Sequence, residues 1–145
     1  MIALTLDSAH AHETTTSHQA EAAGAVAGLP RLLLRAEGAA MFAAGVYAYA
    51  QLGAGWGMFA ALFLVPDLSM LGYLAGPRAG AHSYNLAHSY LAPALLALAG
   101  LVAPAWLPWA ALWLAHIGFD RALGYGLKYT TAFGDTHLGR VGSRA

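Results

Sequence analysis

Four long apolar runs, each close to the length that a helix needs to cross a bilayer, constrain this chain more than any other feature. They cover residues 29–52, 56–74, 81–103 and 106–125, and a membrane-spanning helix needs about 20 apolar residues. Short breaks rich in turn-forming residues separate the runs, which is typical of antiparallel neighbouring helices. The sequence therefore predicts an all-α, polytopic membrane protein whose transmembrane domain, residues 29–129, is an antiparallel four-helix bundle.

The composition supports this prediction and excludes several classes of function. Hydrophobic residues make up 59% of the 145 residues and charged residues only 10%, whereas soluble domains carry about 25% charge. Seven Lys and Arg balance seven Asp and Glu, so the charge gives no indication of a nucleic-acid partner, which requires a basic patch. The chain has no Cys, which excludes disulfides, iron–sulfur clusters and Cys-bound zinc.

The positions of the basic residues predict the orientation of the bundle. Arg31 and Arg35 lie at the start of the first run, Arg78 lies in the second break, and the others lie at or after the end of the fourth run. Because Lys and Arg concentrate on the cytoplasmic side, we expect both termini and the second break there. The protein is thus expected in the cytoplasmic membrane, surrounded by lipid, with a disordered polar tail at residues 1–28 and a cytoplasmic segment at residues 130–145.

Polar side chains interrupt the apolar runs at a common depth. They are Glu37, Asp67, Asn85, His88, His116, Asp120 and Arg121. An ionisable group at the centre of a span costs a few kcal/mol or more, so each needs a partner or a function. At 1.5 Å per residue, the acids and both His of this set lie about 8–13 Å inward from the cytoplasmic ends of their helices. All four helices are therefore expected to bring a polar group to one layer.

The carboxylates and imidazoles of this layer have the composition of a divalent-metal site. His and oxygen ligands suit hard or borderline divalent cations, and a bound metal generates hydroxide near neutral pH, which permits hydrolysis without a Ser or Cys nucleophile. Pro66 breaks the second helix next to Asp67, and such breaks are tolerated where the backbone lines a cavity. We expect metal ligands at Glu37, Asp67, His88, His116 and Asp120, catalytic residues at Asp67, His116 and Asp120, and substrate-binding residues at Asn85, Arg121 and Lys128.

Three functions are compatible with this pattern. The first is a metal-assisted hydrolase of a lipid-like or phosphorylated substrate. The second is a small proton-coupled transporter in which Asp67, His88 and Asp120 relay protons, which would require oligomerisation to line a pore. The third is a membrane scaffold for an unidentified protein partner, in which buried ion pairs only specify packing. His82 and His137 are expected at the aqueous edge, and the Tyr residues are expected to act as interfacial anchors first.

Four phrases of the sequence resemble a family of small bacterial integral membrane proteins. They are PDLSMLGY (66–73), GPRAGAHSYNLAHSYLAP (76–93), LAHIGFDRALGYGLKY (114–129) and FGDTHLGR (133–140). The family is DUF4260, a domain of unknown function, and the resemblance covers about residues 33–141. It implies the membrane architecture and supplies no reaction, so the proposed chemistry rests on the residues themselves.

Overall fold

The computed structural model describes residues 24–142, and this part of the chain is mostly helical. The α-helices are α1 (Gly28–Gln51), α2 (Trp56–Leu62), α3 (Pro77–Ala87), α4 (Leu91–Gly100) and α5 (Leu107–Leu123). A 3-10 helix covers Val65–Ala75, and a short 3-10 turn at Pro104–Trp106 precedes α5. Strands β1 (Asp135–Thr136) and β2 (Gly139–Arg140) pair antiparallel as a hairpin. The predicted all-α class is confirmed, and most of the predicted N-terminal tail lies outside the described residues.

Two of the predicted helices are divided, and proline accounts for both divisions. Pro66 lies at the start of the 3-10 helix, and proline lacks an N–H and clashes with the carbonyl four residues before it, so α2 ends at Leu62. The third predicted helix, residues 81–103, is divided in the structure: α3 ends at Ala87, and α4 begins at Leu91. Pro93 has no N–H to give the Ser89 carbonyl, which accepts instead from the Ala92 N–H at 3.3 Å. A single third helix was therefore the wrong prediction.

Helices α1 and α5 run antiparallel, and their backbones are in direct contact. A Cβ added to Gly45 would lie 2.6 Å from the Ala115 backbone N, and one added to Gly38 or Gly118 would clash with the facing helix. Lipid tails are as apolar as the helix surfaces, so burial of apolar side chains does not drive helices together in a bilayer. Small residues instead let two helix backbones approach closely, and this close packing holds the helices together. The glycines of α1 and α5 therefore align the helix pair that carries much of the polar layer.

Many large apolar side chains of the described residues point outward. Leu74, Leu86 and Val102 have exposed fractions of 88%, 73% and 89%. Residues Trp56–Ala75 form a stretch of 20 residues with a mean hydropathy of 1.7, of which only 6% is buried, and this stretch is long and apolar enough to cross a membrane. It is the one such stretch within residues 24–142. The other three predicted crossings are not established by length and composition.

The two ends of the described chain meet at one end of the helices. The Val26 N–H donates to the His137 carbonyl at 2.8 Å, and Arg35 Nε donates to the Ala122 carbonyl at 2.9 Å. The segment after α5 contacts α3 through Lys128 and Asn85, and Lys128 also forms a β-bridge with Thr136 of the hairpin. Val26 and the hairpin therefore lie at the same end of the α1–α5 pair.

Candidate metal centre

Four ionisable side chains from three elements converge on one point. Asp67 comes from the 3-10 helix, His88 follows α3 directly, and His116 and Asp120 lie one turn apart on α5. One nitrogen or carboxylate oxygen from each lies within 4.8 Å of all the others. His88 Nε2 is 3.1 Å from His116 Nε2 and 3.2 Å from Asp67 Oδ1. The structure thus brings together four of the five residues that the sequence predicts as ligands.

The spacing of these atoms matches the ligand shell of a zinc-sized ion. Besides the two shortest separations, His88 Nε2 lies 3.5 Å from Asp120 Oδ2, and His116 Nε2 lies 3.5 Å from Asp67 Oδ1 and 3.8 Å from Asp120 Oδ2. Zinc–nitrogen and zinc–oxygen distances of about 2.0–2.2 Å place tetrahedral ligands about 3.3–3.6 Å apart, because a tetrahedron's edge is about 1.6 times its centre-to-corner distance. The five separations, 3.1–3.8 Å, are thus close to those that a small cation requires of its ligands.

His88 is oriented so that its Nε2 faces the cluster. Its Nδ1 lies 3.0 Å from the Tyr84 carbonyl oxygen, a group that only accepts hydrogen bonds. Nδ1 therefore donates there, and Nε2 is the nitrogen directed at Asp67 and His116. The Tyr84 ring stacks on the His88 ring, with centroids 3.7 Å apart. The Tyr84 hydroxyl also donates to Asp120 Oδ2 at 3.2 Å. Such outer contacts set the orientation of metal ligands.

Tyr84 was not predicted as part of the site, although the sequence contains the relevant spacing. It precedes His88 by four residues, so the two share a helix face. The Tyr residues were instead expected to act as interfacial anchors first. The structure instead buries Tyr84, with 3% of its surface exposed.

The break after α3 is stabilised by two side chains of α5. Trp113 Nε1 donates to the Ala87 carbonyl at 2.7 Å, and Arg121 Nη2 donates to the His88 carbonyl at 3.2 Å. These carbonyls have no continuing helix to bond with, and buried backbone groups without partners are costly. Helix α5 therefore supplies two members of the cluster and also holds the backbone that carries His88.

Glu37 does not join the cluster, although its depth was predicted to match. It is exposed on α1 and lines a separate cavity with Arg121 and His137. Counting residues along a helix gives the height of a side chain but not the direction in which the helix turns it. The expectation that Glu37 contributes a ligand is corrected on this ground.

Asn85 and Lys128 contact each other instead of forming an open binding surface. The Asn85 amide donates to the Lys128 carbonyl at 2.8 Å and accepts from the Lys128 N–H at 2.7 Å. Lys128 Nζ donates to the Phe133 carbonyl at 2.9 Å and lies 5.1 Å from the Tyr84 ring centroid. Burial lowers the pKa of Lys128, while the negative charges of Asp120 and Asp67 act in the opposite direction. These hydrogen bonds attach the segment after α5 to α3. They also place the positive charge of Lys128 near the cluster.

Access to the cluster is from the side of Asp67. The side chain of Asp67 is 28% exposed and that of Asp120 is 15% exposed, whereas His88 and His116 are 3% and 1% exposed. Nδ1 of His116 is buried and has no hydrogen-bond partner among the described residues. The arrangement has two shielded imidazoles at its base and a carboxylate at its opening.

Comparison with known proteins gives one match. A family model described as "Domain of unknown function (DUF4260)" matches residues 31–141. No curated protein and no solved structure matches the chain. All four residues of the cluster lie inside the matched region.

Proposed function

Because the chain belongs to the DUF4260 family, whose description gives no activity, we propose a function from the geometry of the cluster. We propose that the protein binds one divalent ion of the zinc class and uses it to hydrolyse a lipid-like or phosphorylated ester within a membrane. The observation that carries this proposal is the convergence of two imidazole nitrogens and two carboxylate oxygens within 4.8 Å. Mixed nitrogen and oxygen ligands at these distances are typical of such ions.

The differing exposure of the four residues supports a division of roles. His88, His116 and Asp120 are the more shielded members and serve as the metal ligands, because catalytic zinc sites usually use three protein ligands and leave a position for water. Asp67, at the opening, serves as the general base. A metal held by these three residues would supply a water of lowered pKa. Asp67 would accept a proton as this water adds to the ester and would return it to the departing alcohol, so that water and ester give acid and alcohol.

The exposed apolar surface supports a membrane location for this chemistry. Trp56–Ala75 can cross a bilayer by length and composition, and Leu86 of α3 and Val102 in the turn after α4 also face outward. Large exposed apolar patches indicate contact with a membrane or a partner. We propose four crossings with the chain ends and the start of α3 at Arg78 on the cytoplasmic side, in line with the distribution of Lys and Arg.

A non-catalytic metal site is the second candidate, and one observation favours it. All four side chains offer a ligand atom within 4.8 Å of the others, and a shell closed by four protein ligands is typical of structural zinc. In that case Asp67 is a ligand, and the metal contributes to stability without a reaction. The role of Asp67 therefore distinguishes the two candidates.

Metal content is the first test. The detergent-purified chain, prepared without a metal-binding tag, is loaded with zinc, dialysed and measured by mass spectrometry of its metals. We expect about one ion per chain, and a large loss in His116→Ala and Asp120→Asn because each removes a ligand. His82→Ala is the matched control, since His82 is exposed and outside the cluster. A wild-type protein that retains no stoichiometric metal after loading contradicts both candidates.

Asp67→Asn then separates hydrolysis from structure. For the hydrolase, the variant keeps its metal but loses at least about a hundredfold in hydrolysis of p-nitrophenyl butyrate or bis(p-nitrophenyl) phosphate, because the base is gone. For the structural site, the variant loses metal affinity and thermal stability together. If wild-type protein with bound metal hydrolyses neither type of ester, the hydrolase is contradicted and the structural site remains.

A further inference from the structure

Two adjoining cavities lie apart from the metal centre, beside α1 and α5. The larger, about 770 Å³, has a mostly apolar lining from α1, α4 and α5, and the smaller, about 410 Å³, reaches Arg121 and His137. Met41 and Tyr90 line both cavities, so the two lie next to each other and together form one groove in this proposal. Each volume is within the range of about 300–1,000 Å³ typical of ligand sites. None of the four cluster residues lines either cavity.

Two hydrogen-bond donors meet at the polar end of this groove. Arg121 Nη1 lies 3.2 Å from His137 Nε2 and 3.3 Å from its Nδ1. His137 Nδ1 accepts from the Leu127 N–H at 2.8 Å, and burial together with the Arg121 charge lowers the pKa of His137. The neutral ring therefore carries its proton on Nε2. The guanidinium, whose Nη1 donates to this ring, and the Nε2–H of His137 are therefore neighbouring donors at the polar end of the groove.

Within residues 24–142, the charge of Arg121 has no close ion-pair partner. Arg121 is 8% exposed, and no carboxylate of these residues lies within 4 Å of its guanidinium, although the negative charge of Asp120 acts on it from a greater distance. A buried cation without a close anion is costly. Glu37 lines the same cavity but is exposed. The groove thus combines a buried positive charge, a more exposed negative charge and an apolar extension.

We propose that this groove binds one zwitterionic phospholipid. Its phosphate accepts hydrogen bonds from Arg121 and His137, its ammonium group faces Glu37, and an acyl chain occupies the apolar cavity between α1 and α4. Arginine and phosphate form strong charge-assisted hydrogen bonds, and the acyl chain buries apolar surface. The site needs no metal, so it stands independently of the proposed hydrolase.

The test titrates the delipidated chain in detergent and counts bound lipid by native mass spectrometry. The probes are phosphatidylethanolamine, phosphatidylglycerol with the same acyl chains, and inorganic phosphate. We expect phosphatidylethanolamine to bind at least about tenfold more tightly than phosphatidylglycerol, since only it offers a cation to Glu37. Glu37→Gln abolishes this preference, and inorganic phosphate alone does not bind because it has no acyl chain.

Ala97→Trp is the second variant, because Ala97 lines the apolar cavity and lies far from the polar end and outside the metal cluster. A bulky side chain there is expected to weaken both lipids at least about tenfold, while metal content stays at the wild-type value. Equal or tighter binding of phosphatidylglycerol in the wild type overturns the proposal. Unchanged lipid binding in Ala97→Trp, or binding of inorganic phosphate alone, also overturns it, whatever the outcome of the metal experiments.

Discussion

Single residues around the metal centre divide into those that would bind the ion and those that orient the ligands. Tyr84 belongs to the second group, because its ring stacks on His88 and its hydroxyl donates to Asp120. It contacts two ligands from two different elements with one side chain. The geometry of the cluster therefore depends on a residue that has no place in the ligand shell.

Tyr84→Phe tests this orienting role. The substitution keeps the ring on His88 but removes the hydrogen bond to Asp120, so we expect metal affinity to fall about 10–100-fold with unchanged stoichiometry. Competition with a fluorescent zinc chelator measures the affinity. Tyr125→Phe serves as the control, because Tyr125 is 41% exposed. Equal affinities in wild type and Tyr84→Phe would show that the hydroxyl does not orient the ligand.

His137 gives a prediction for the pH dependence of stability. Burial and the Arg121 charge lower the pKa of His137 below the ordinary value of 6.5. As the pH falls through 6.5, the unfolded chain therefore binds more protons at this residue than the folded chain does. The free energy of unfolding therefore decreases with falling pH. We expect His137→Gln to lose less stability than wild type between about pH 7.5 and about pH 5.5, measured by thermal unfolding in detergent. Parallel losses in the two proteins would contradict this.

Helical elements explain why the site was only partly predictable from sequence. Hydropathy and depth placed Asp67, His88, His116 and Asp120 in one layer, because rise per residue is uniform along a helix. Depth alone could not separate Glu37 from them, since the direction of a side chain depends on how α1 packs against α5. Pro93 is visible in the sequence, but the partners that stabilise the break at His88 come from α5, far away in the chain.

Trp113→Phe tests how α5 stabilises that break. Loss of the indole N–H leaves the Ala87 carbonyl without its 2.7 Å partner, so we expect the free energy of unfolding to fall by about 1–3 kcal/mol. Metal affinity should fall as well, because the backbone at His88 loses one of its two supports. Chemical unfolding in detergent and chelator competition measure the two effects. Trp106→Phe, at a 49% exposed position, is expected to change neither, and equal losses in both variants would exclude a specific role for Trp113.

Across residues 24–142, several polar side chains are buried while many large apolar side chains are exposed. The most buried side chains include His116 and Thr136, while Leu74 and Val102 are almost fully exposed. Water would penalise such a surface, whereas a bilayer accepts it and leaves the buried polar groups to bond with one another. This distribution is the physical reason for proposing a membrane protein, beyond the single stretch that passes the length criterion.

Cysteine labelling tests the proposed topology directly, because the chain has no natural Cys. Arg78→Cys places a thiol at the start of α3 and Val102→Cys places one in the turn after α4. We expect these two sites on opposite sides of the membrane, the first cytoplasmic. A charged, impermeant maleimide should therefore label Arg78→Cys only in inside-out vesicles and Val102→Cys only in right-side-out vesicles.

Leu68→Cys is the decisive control, since Leu68 is 62% exposed in the structure but faces lipid in the proposed orientation. Its thiol should stay unlabelled in both preparations until detergent is added. Rapid labelling of Leu68→Cys in intact vesicles would mean that Trp56–Ala75 faces water, and the membrane assignment would be wrong.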